Sequence, residues 1–336
     1  MMQIDYTQPE IDSSELRAET LDSDARTLLD ALKDADAPDL TQLSPEQARV
    51  LLGDLFTPNV EPESVESVDE QKIPAYGRDI RVRIYDPDPG QTLPAVVYFH
   101  GGGWVVGNLN THDKVARALA NKGECVVVSV DYRKAPEHPF PAAVEDAYLA
   151  TKWTADNAEE LGGGAGLAVA GESAGATLAT VVAQMAVDKD LGAPKIDHQL
   201  LFYPVTNHGF DTLSYELNAD NYFLTTRGMV WFWNHYLRDD IDGANLRASP
   251  LRAPERVLAE LPPVTLYSTG YDPLRTEQFA YGRALADAGV PVDHTHYEDM
   301  IHDFANMSQL ADPFTAIEAA NDVHERAGKA LREAFE

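Results

Sequence analysis

Three residues far apart in this chain, Ser173, Asp272 and His302, have the types from which a nucleophile, an orienting acid and a base are built. Ser173 lies in Gly171-Glu172-Ser173-Ala174-Gly175, a fit to Gly-x-Ser-x-Gly, the sharp strand-to-helix turn that exposes a serine. The glycines answer to crowding, because a turn this tight strains the serine and leaves no room for a Cβ on either side. A serine hydroxyl is a poor nucleophile at neutral pH, so it needs a base to take its proton and an acid to hold that base. Asp272 follows the apolar run Pro263 to Ser268 and a glycine turn; His302 follows the alternating run Val292 to Tyr297. Of the ten histidines, His294 and His296 fall inside that run and His100 belongs to a glycine loop, which leaves His302 best placed.

The glycine loop, His100-Gly101-Gly102-Gly103-Trp104, ends the apolar run Ala95 to Phe99. Consecutive glycines leave backbone N–H groups uncovered and approachable, as an oxyanion hole requires; a merely flexible turn is the competing reading. Groups so dispersed meet only if strands deliver them to one sheet edge. Ala95 to Phe99, Cys125 to Val130, Leu167 to Ala170, Gln199 to Tyr203 and Pro263 to Ser268 are short apolar runs suited to buried parallel strands. Helical patterns over 111–121, 142–157 and 174–187 separate several of them. The alternation predicts an α/β protein with a mostly parallel central sheet flanked by helices. Ile80 to Tyr85 alternates as a half-solvated antiparallel strand does, Asp131 to Pro141 is a proline-fixed loop, and Leu161 to Gly166 reads as a glycine turn. The chain order Ser173, Asp272, His302 is that of the α/β-hydrolase fold.

Two amphipathic helices are expected ahead of the first strand. Leu21, Ala25, Leu28, Leu29 and Leu32 form one apolar stripe over residues 20–34, and Ser44-Pro45-Glu46-Gln47 is a capping box opening a second helix. Their apolar faces either roof a pocket or pack behind the domain, and nothing local separates the two. The segment Phe210 to Tyr236 is dense in aromatics, which either line an apolar pocket or fill the core of a small insertion. No internal repeat or low-complexity linker appears, so one domain with a lid is preferred to two domains.

Composition narrows the classes. Fifty-five acidic against 26 basic residues give a net charge of -29, which repels nucleic acid and anionic lipid. Arginine (17) outnumbers lysine (9), and such a surface self-repels in dilute buffer but is screened in concentrated salt, so a salt-accumulating cytoplasm competes with an ordinary acidic protein. No apolar run approaches the ~20 residues of a membrane span. The first residues, Met-Met-Gln-Ile-Asp-Tyr, lack a basic and then apolar leader, making a cytoplasmic location the default expectation. The lone Cys125, inside a valine-rich run, is expected to be buried packing.

With His100-Gly-Gly-Gly-Trp104, Asp131-Tyr-Arg-Lys-Ala-Pro-Glu-His-Pro-Phe-Pro141, Gly171-Glu-Ser-Ala-Gly175, Asp272-Pro-Leu-Arg275 and His302-Asp-Phe304 in this order, the chain resembles the bacterial hormone-sensitive lipase family of α/β-hydrolase esterases. The resemblance implies Ser173 as nucleophile, His302 as base then acid, Asp272 as its partner, and the N–H groups of Gly101, Gly102 and Ala174 as the oxyanion hole. It implies a helical cap made from residues 1–50 and an insertion at about 206–245 on a catalytic domain spanning 51–336. Apart from the resemblance, the aromatic residues Trp104, Tyr203, Tyr222 and Phe223 are expected in the substrate pocket. A carboxylesterase acting on small esters of short to medium acyl chain follows, with no metal or organic cofactor required and a homodimer as the common family state. An amidase or peptidase shares the same triad; the gibberellin receptors of plants resemble the family but lack the catalytic histidine, which His302 supplies here. Three positions depart from the family pattern: Glu172 for the usual Asp, Lys134 for Leu, and Asp303 for Gly. Asp303 places a charge beside His302 and either shifts its pKa or merely faces solvent, the latter being the expectation; Glu172 has no evident role in the sequence.

Overall fold

A computed structural model of the chain describes residues 1–7, 16–57, 60–187 and 194–336; part of the expected N-terminal cap segment, residues 8–15, lies outside the described residues. The strands are β1 (Met2–Ile4), β2 (Ser67–Ala75), β3 (Arg78–Asp86), β4 (Leu93–Phe99), β5 (Val126–Asp131), β6 (Gly163–Glu172), β7 (His198–Phe202), β8 (Val264–Tyr271) and β9 (Val292–Ile301). They form one sheet in the order β1-β9-β8-β7-β6-β4-β5-β3-β2. The inner strands β5, β4, β6, β7, β8 and β9 run parallel, while β3, β2 and β1 are antiparallel at the two edges. Strands covered on both faces read as unbroken apolar runs, and β7 and β8 are buried at every residue.

The helices are α1 (Ser23–Asp34), α2 (Pro45–Phe56), α3 (Asp113–Gly123), α4 (Ala142–Asp156), α5 (Ala174–Ala186), α6 (Leu213–Leu217), α7 (Thr226–Tyr236), α8 (Glu255–Leu258), α9 (Arg275–Asp287) and α10 (Ala319–Phe335). The strand period of two sorts the core. Val97 and Phe99 of β4 face α4 and α5, packing with Val144, Ala179 and Val182; Val96 and Tyr98 face α3 and α10, packing with Leu119, Val323 and Leu331. Cys125 is buried on this second face, and burial pushes its thiol up to about 12, so it is packing, as expected. The capping box of α2 is formed: Ser44 Oγ accepts from the Gln47 N–H at 3.3 Å and Gln47 Oε1 accepts from the Ser44 N–H at 2.9 Å.

Three expectations are corrected. A strand does precede the two helices: β1 pairs Met2–Ile4 with His296–His294 at the sheet edge, too short a run to show a period. Gly163 to Gly166 belong to β6, where backbone pairing with β4 through a register irregularity carries a strand that side chains do not announce. Gly270 lies within β8, since a Cβ there would stand 1.9 Å from the Glu298 carbonyl oxygen of β9. The glycine permits strand contact, and β8 continues to Tyr271, directly before Asp272.

Candidate active site

The ends of β6, β8 and β9 deliver Ser173, Asp272 and His302 to one edge of the sheet. Ser173 caps α5 with φ 51° and ψ -119°, a left-handed conformation a serine adopts only under constraint. The elbow needs both of its glycines: a Cβ on Gly171 would stand 2.4 Å from the Gly175 carbonyl, and one on Gly175 would stand 1.9 Å from the Phe99 carbonyl oxygen. The structure brings the three side chains together. His302 Nε2 lies 2.9 Å from Ser173 Oγ, and His302 Nδ1 lies 2.8 Å from Asp272 Oδ2.

Asp272 is buried and saturated with donors: the Leu274 N–H at 2.8 Å, Gln278 Nε2 at 2.9 Å and the Thr269 hydroxyl at 3.1 Å. Burial alone would raise its pKa, but the charge and hydrogen bond of His302 and these donors hold it below the ordinary carboxylate value. Burial pulls His302 the other way, and the Asp272 charge and hydrogen bond, with the charge of Asp303, carry it above the ordinary imidazole value. A carboxylate held ionised fixes the tautomer: Nδ1–H donates to Asp272, and Nε2 accepts from the Ser173 hydroxyl.

The glycine loop corrects one assignment. The Gly101 N–H donates to His112 Nε2 at 3.2 Å and so is already engaged within the protein. Gly102 and Gly103, with φ of 110° and 56°, line the cleft beside Ser173, and among the described residues no backbone acceptor takes their N–H groups. The donors on offer are therefore Gly102, Gly103 and Ala174, the last at the first turn of α5. Three glycines in a row cannot reveal which one is already engaged. Gly103 also needs its lack of a side chain, since a Cβ would meet the Phe232 ring at 2.2 Å.

The cleft has a volume of about 1080 Å³ and runs from Ser173 and His302 beneath α1, α2 and α7. Tyr222 and Phe223 line it, with Leu29, Leu55 and Phe232. Trp104 and Tyr203 do not. Trp104 is fully buried between the glycine loop and α7, and Tyr203 packs its ring 4.8 Å from that of His302 while its hydroxyl donates to Glu172 Oε2 at 3.1 Å. Aromatic content marks a hydrophobic region without saying which rings face a void. Charged groups also line the cleft: Asp30, Asp39, Asp54, Asp303 and Asp312 against Arg26 and Lys33.

Beneath the loop lies a polar cluster. Glu172 is fully buried and accepts from the hydroxyls of Tyr98 and Tyr203; burial, then the charge of Asp303, pushes it above the usual carboxylate range. Asp303, in the left-handed region at φ 69°, is partly buried: its carboxylate reaches this cluster while the residue also lines the cleft, and burial raises its carboxyl as well. Donor atoms of His112, Glu172 and Asp303 lie within 4.8 Å of one another. Such a set could hold a metal, but His112 Nε2 already accepts the Gly101 N–H, and the Lys114 ammonium acts on both carboxylates. The cluster is better matched to hydrogen bonding than to an ion. Lys134, the third departure, pairs with Asp131 at 2.7 Å.

A family model for the alpha/beta hydrolase fold matches residues 96–306, the span holding each of these groups, and the chain belongs to that family. Within it, the chain is a carboxylic ester hydrolase of the hormone-sensitive lipase branch. It is 43% identical over 248 residues to the carboxylic ester hydrolase LipN of Mycobacterium tuberculosis, a match covering 72% of this chain and 65% of LipN. It is 43% identical over 247 residues to the esterase LipI of the same organism, covering 72% of this chain and 75% of that one. A thermostable esterase from Pseudomonas putida superposes with a TM-score of 0.88 at 38% identity, over 95% of this chain and 99% of its own. Among the described residues, no helix is long and apolar enough to cross a membrane.

Proposed function

We propose that the chain hydrolyses small carboxylic esters of short to medium acyl chain through a Ser173–His302–Asp272 triad and an acyl-enzyme. The observation that carries this reading is the unbroken relay from Ser173 Oγ through His302 to Asp272, at 2.9 and 2.8 Å. Ser173 Oγ attacks the ester carbonyl as its proton passes to His302 Nε2. Asp272 stabilises the imidazolium, and the tetrahedral oxyanion sits among the N–H groups of Gly102, Gly103 and Ala174, each such donor being worth ~2.7–4 kcal/mol. Collapse expels the alcohol with the proton from His302. Water then repeats the sequence on the acyl-enzyme, returning the carboxylic acid and free Ser173. Every group in this cycle is a side chain or a backbone N–H.

Helices α1, α2 and α7 act as the cap, enclosing an acyl chain in the cleft they roof. The net charge of -29 suits a salt-rich cytoplasm. A panel of nitrophenyl esters of increasing acyl length, with nitroanilides alongside, tests the reading. Turnover falls with chain length, anilides react poorly, and Ser173→Ala lowers ester kcat by about 10⁴-fold or more. Undiminished hydrolysis in that variant would overturn the triad, and faster anilide cleavage would make the protein an amidase.

A further inference from the structure

Resting on the triad reading above, we propose that His112 is a positioning residue whose neutral imidazole sets the direction of the oxyanion-hole donors. The argument is one of counted protons. The Thr111 hydroxyl has a single hydrogen, which goes to the Asn108 carbonyl at 2.9 Å, while its oxygen accepts the Asn108 N–H at 2.9 Å. Toward His112 Nδ1, 2.8 Å away, that oxygen can only accept, so Nδ1 carries the imidazole hydrogen. Nε2 is then a bare lone pair, which is the form needed to accept the Gly101 N–H at 3.2 Å. Asn306 Nδ2 approaches the same atom at 3.3 Å.

The Gly101 residue is held at its other polar atom too, with His100 Nδ1 2.7 Å from its carbonyl oxygen. A residue fixed at both N–H and C=O dictates where the chain goes next. The following residues take φ of 110° and 56°, and the Val105 and Val106 N–H groups close back onto the Gly102 carbonyl at 3.0 and 2.9 Å. This turn leaves the Gly102 and Gly103 N–H groups for the substrate. Glu172 Oε2 stands 3.9 Å from His112 Nε2, beyond hydrogen-bond reach, and both Glu172 oxygens accept from tyrosine hydroxyls, so the Gly101 N–H keeps that lone pair.

Donors aimed at the oxyanion act mainly in the transition state, so a loosened tether lowers kcat more than it raises KM. His112→Phe keeps a planar ring and deletes the acceptor. We expect kcat on a nitrophenyl ester to fall by about 10- to 100-fold with KM within about threefold, and affinity for a trifluoromethyl ketone, which forms a tetrahedral adduct, to fall in parallel. In His112→Gln the amide oxygen takes the place of Nε2 and recovers most of the loss. Thr111→Val, nearly isosteric and outside the relay, frees the Nδ1 tautomer and lowers kcat by about threefold or more. Unchanged kcat in His112→Phe or Thr111→Val overturns the proposal, as does an equal loss in the Phe and Gln variants of His112. Failure of the triad is distinguished separately, since it would show as activity surviving Ser173→Ala.

Discussion

Tyr236 lies face to face with Trp104, the ring centroids 4.1 Å apart and the planes 8° from parallel. The contact joins the last turn of α7 to the residue after the oxyanion glycines, with Trp233 4.7 Å away on the same indole. From the other side Arg49 of α2 reaches the same loop, donating to the Val105 and Ala135 carbonyls at 2.8 Å each. The roof of the cleft and the glycine loop are thus one packed unit. Trp104→Ala empties a fully buried site and is expected to cost about 3–5 kcal/mol. It should also lower kcat, because Gly103 loses its neighbour. Urea unfolding read beside turnover checks both effects, and a variant stable but inactive would show that packing and function are separable here.

The strain at Ser173 predicts a stability difference between two inactive variants. Ser173→Ala and Ser173→Gly both remove the hydroxyl, but only glycine occupies φ 51°, ψ -119° without a Cβ penalty. The glycine variant should melt higher, by a stability difference of about 1–2 kcal/mol. Equal melting temperatures would mean that the elbow holds its serine at no conformational cost.

On the proposed triad, hydrolysis requires neutral His302, so activity is expected to be lost as pH falls through its pKa in the folded enzyme, which lies above the ordinary value. The charge of Asp303 contributes to that elevation. Asp303→Asn should therefore extend activity to lower pH, moving the acid limb of kcat/KM down. The linkage for stability has the same sign at His302. A raised pKa gives stabilisation that is complete below the unfolded value and disappears as pH rises through the folded one, so the variant loses part of that acid-side stabilisation. A pH–rate profile with an unmoved midpoint would place the Asp303 charge out of reach of the imidazole.

Self-repulsion by the acidic surface predicts a melting temperature that climbs as KCl rises from dilute to molar, where the Debye length contracts from ~10 Å at 0.1 M to ~3 Å at 1 M. Scanning calorimetry across that range decides. A flat or falling trend removes salt adaptation and leaves an ordinary acidic protein.

The sheet, the elbow and the meeting of Ser173, Asp272 and His302 were readable because strand runs, glycines and chain order are local signals. What was not readable depended on partners. Gly101, Gly102 and Gly103 are equivalent in sequence, and only His112, whose run read simply as a helix, tells the engaged one from the free ones. Asp303 was expected to face water because charge at a loop does so on average; its left-handed backbone turns the carboxylate inward. Glu172, without evident role beforehand, is explained by Tyr98 of β4 and Tyr203, just past the end of β7, which arrive from the two strands flanking β6. Trp104 and Tyr203 were placed in the cleft by their aromatic character, whereas tight packing encloses both.

The walls of the cleft have a bearing on traffic through it. Hydrolysis converts an uncharged ester into an anion, and does so where Asp30, Asp39, Asp54 and Asp312 outnumber Arg26 and Lys33. Nothing in that field hinders the arriving ester or the departing alcohol. The newborn carboxylate is the one species whose charge that rim opposes, and because Asp30, Asp54 and Asp312 are exposed and Asp39 is paired with Arg227, the opposition weakens as salt rises.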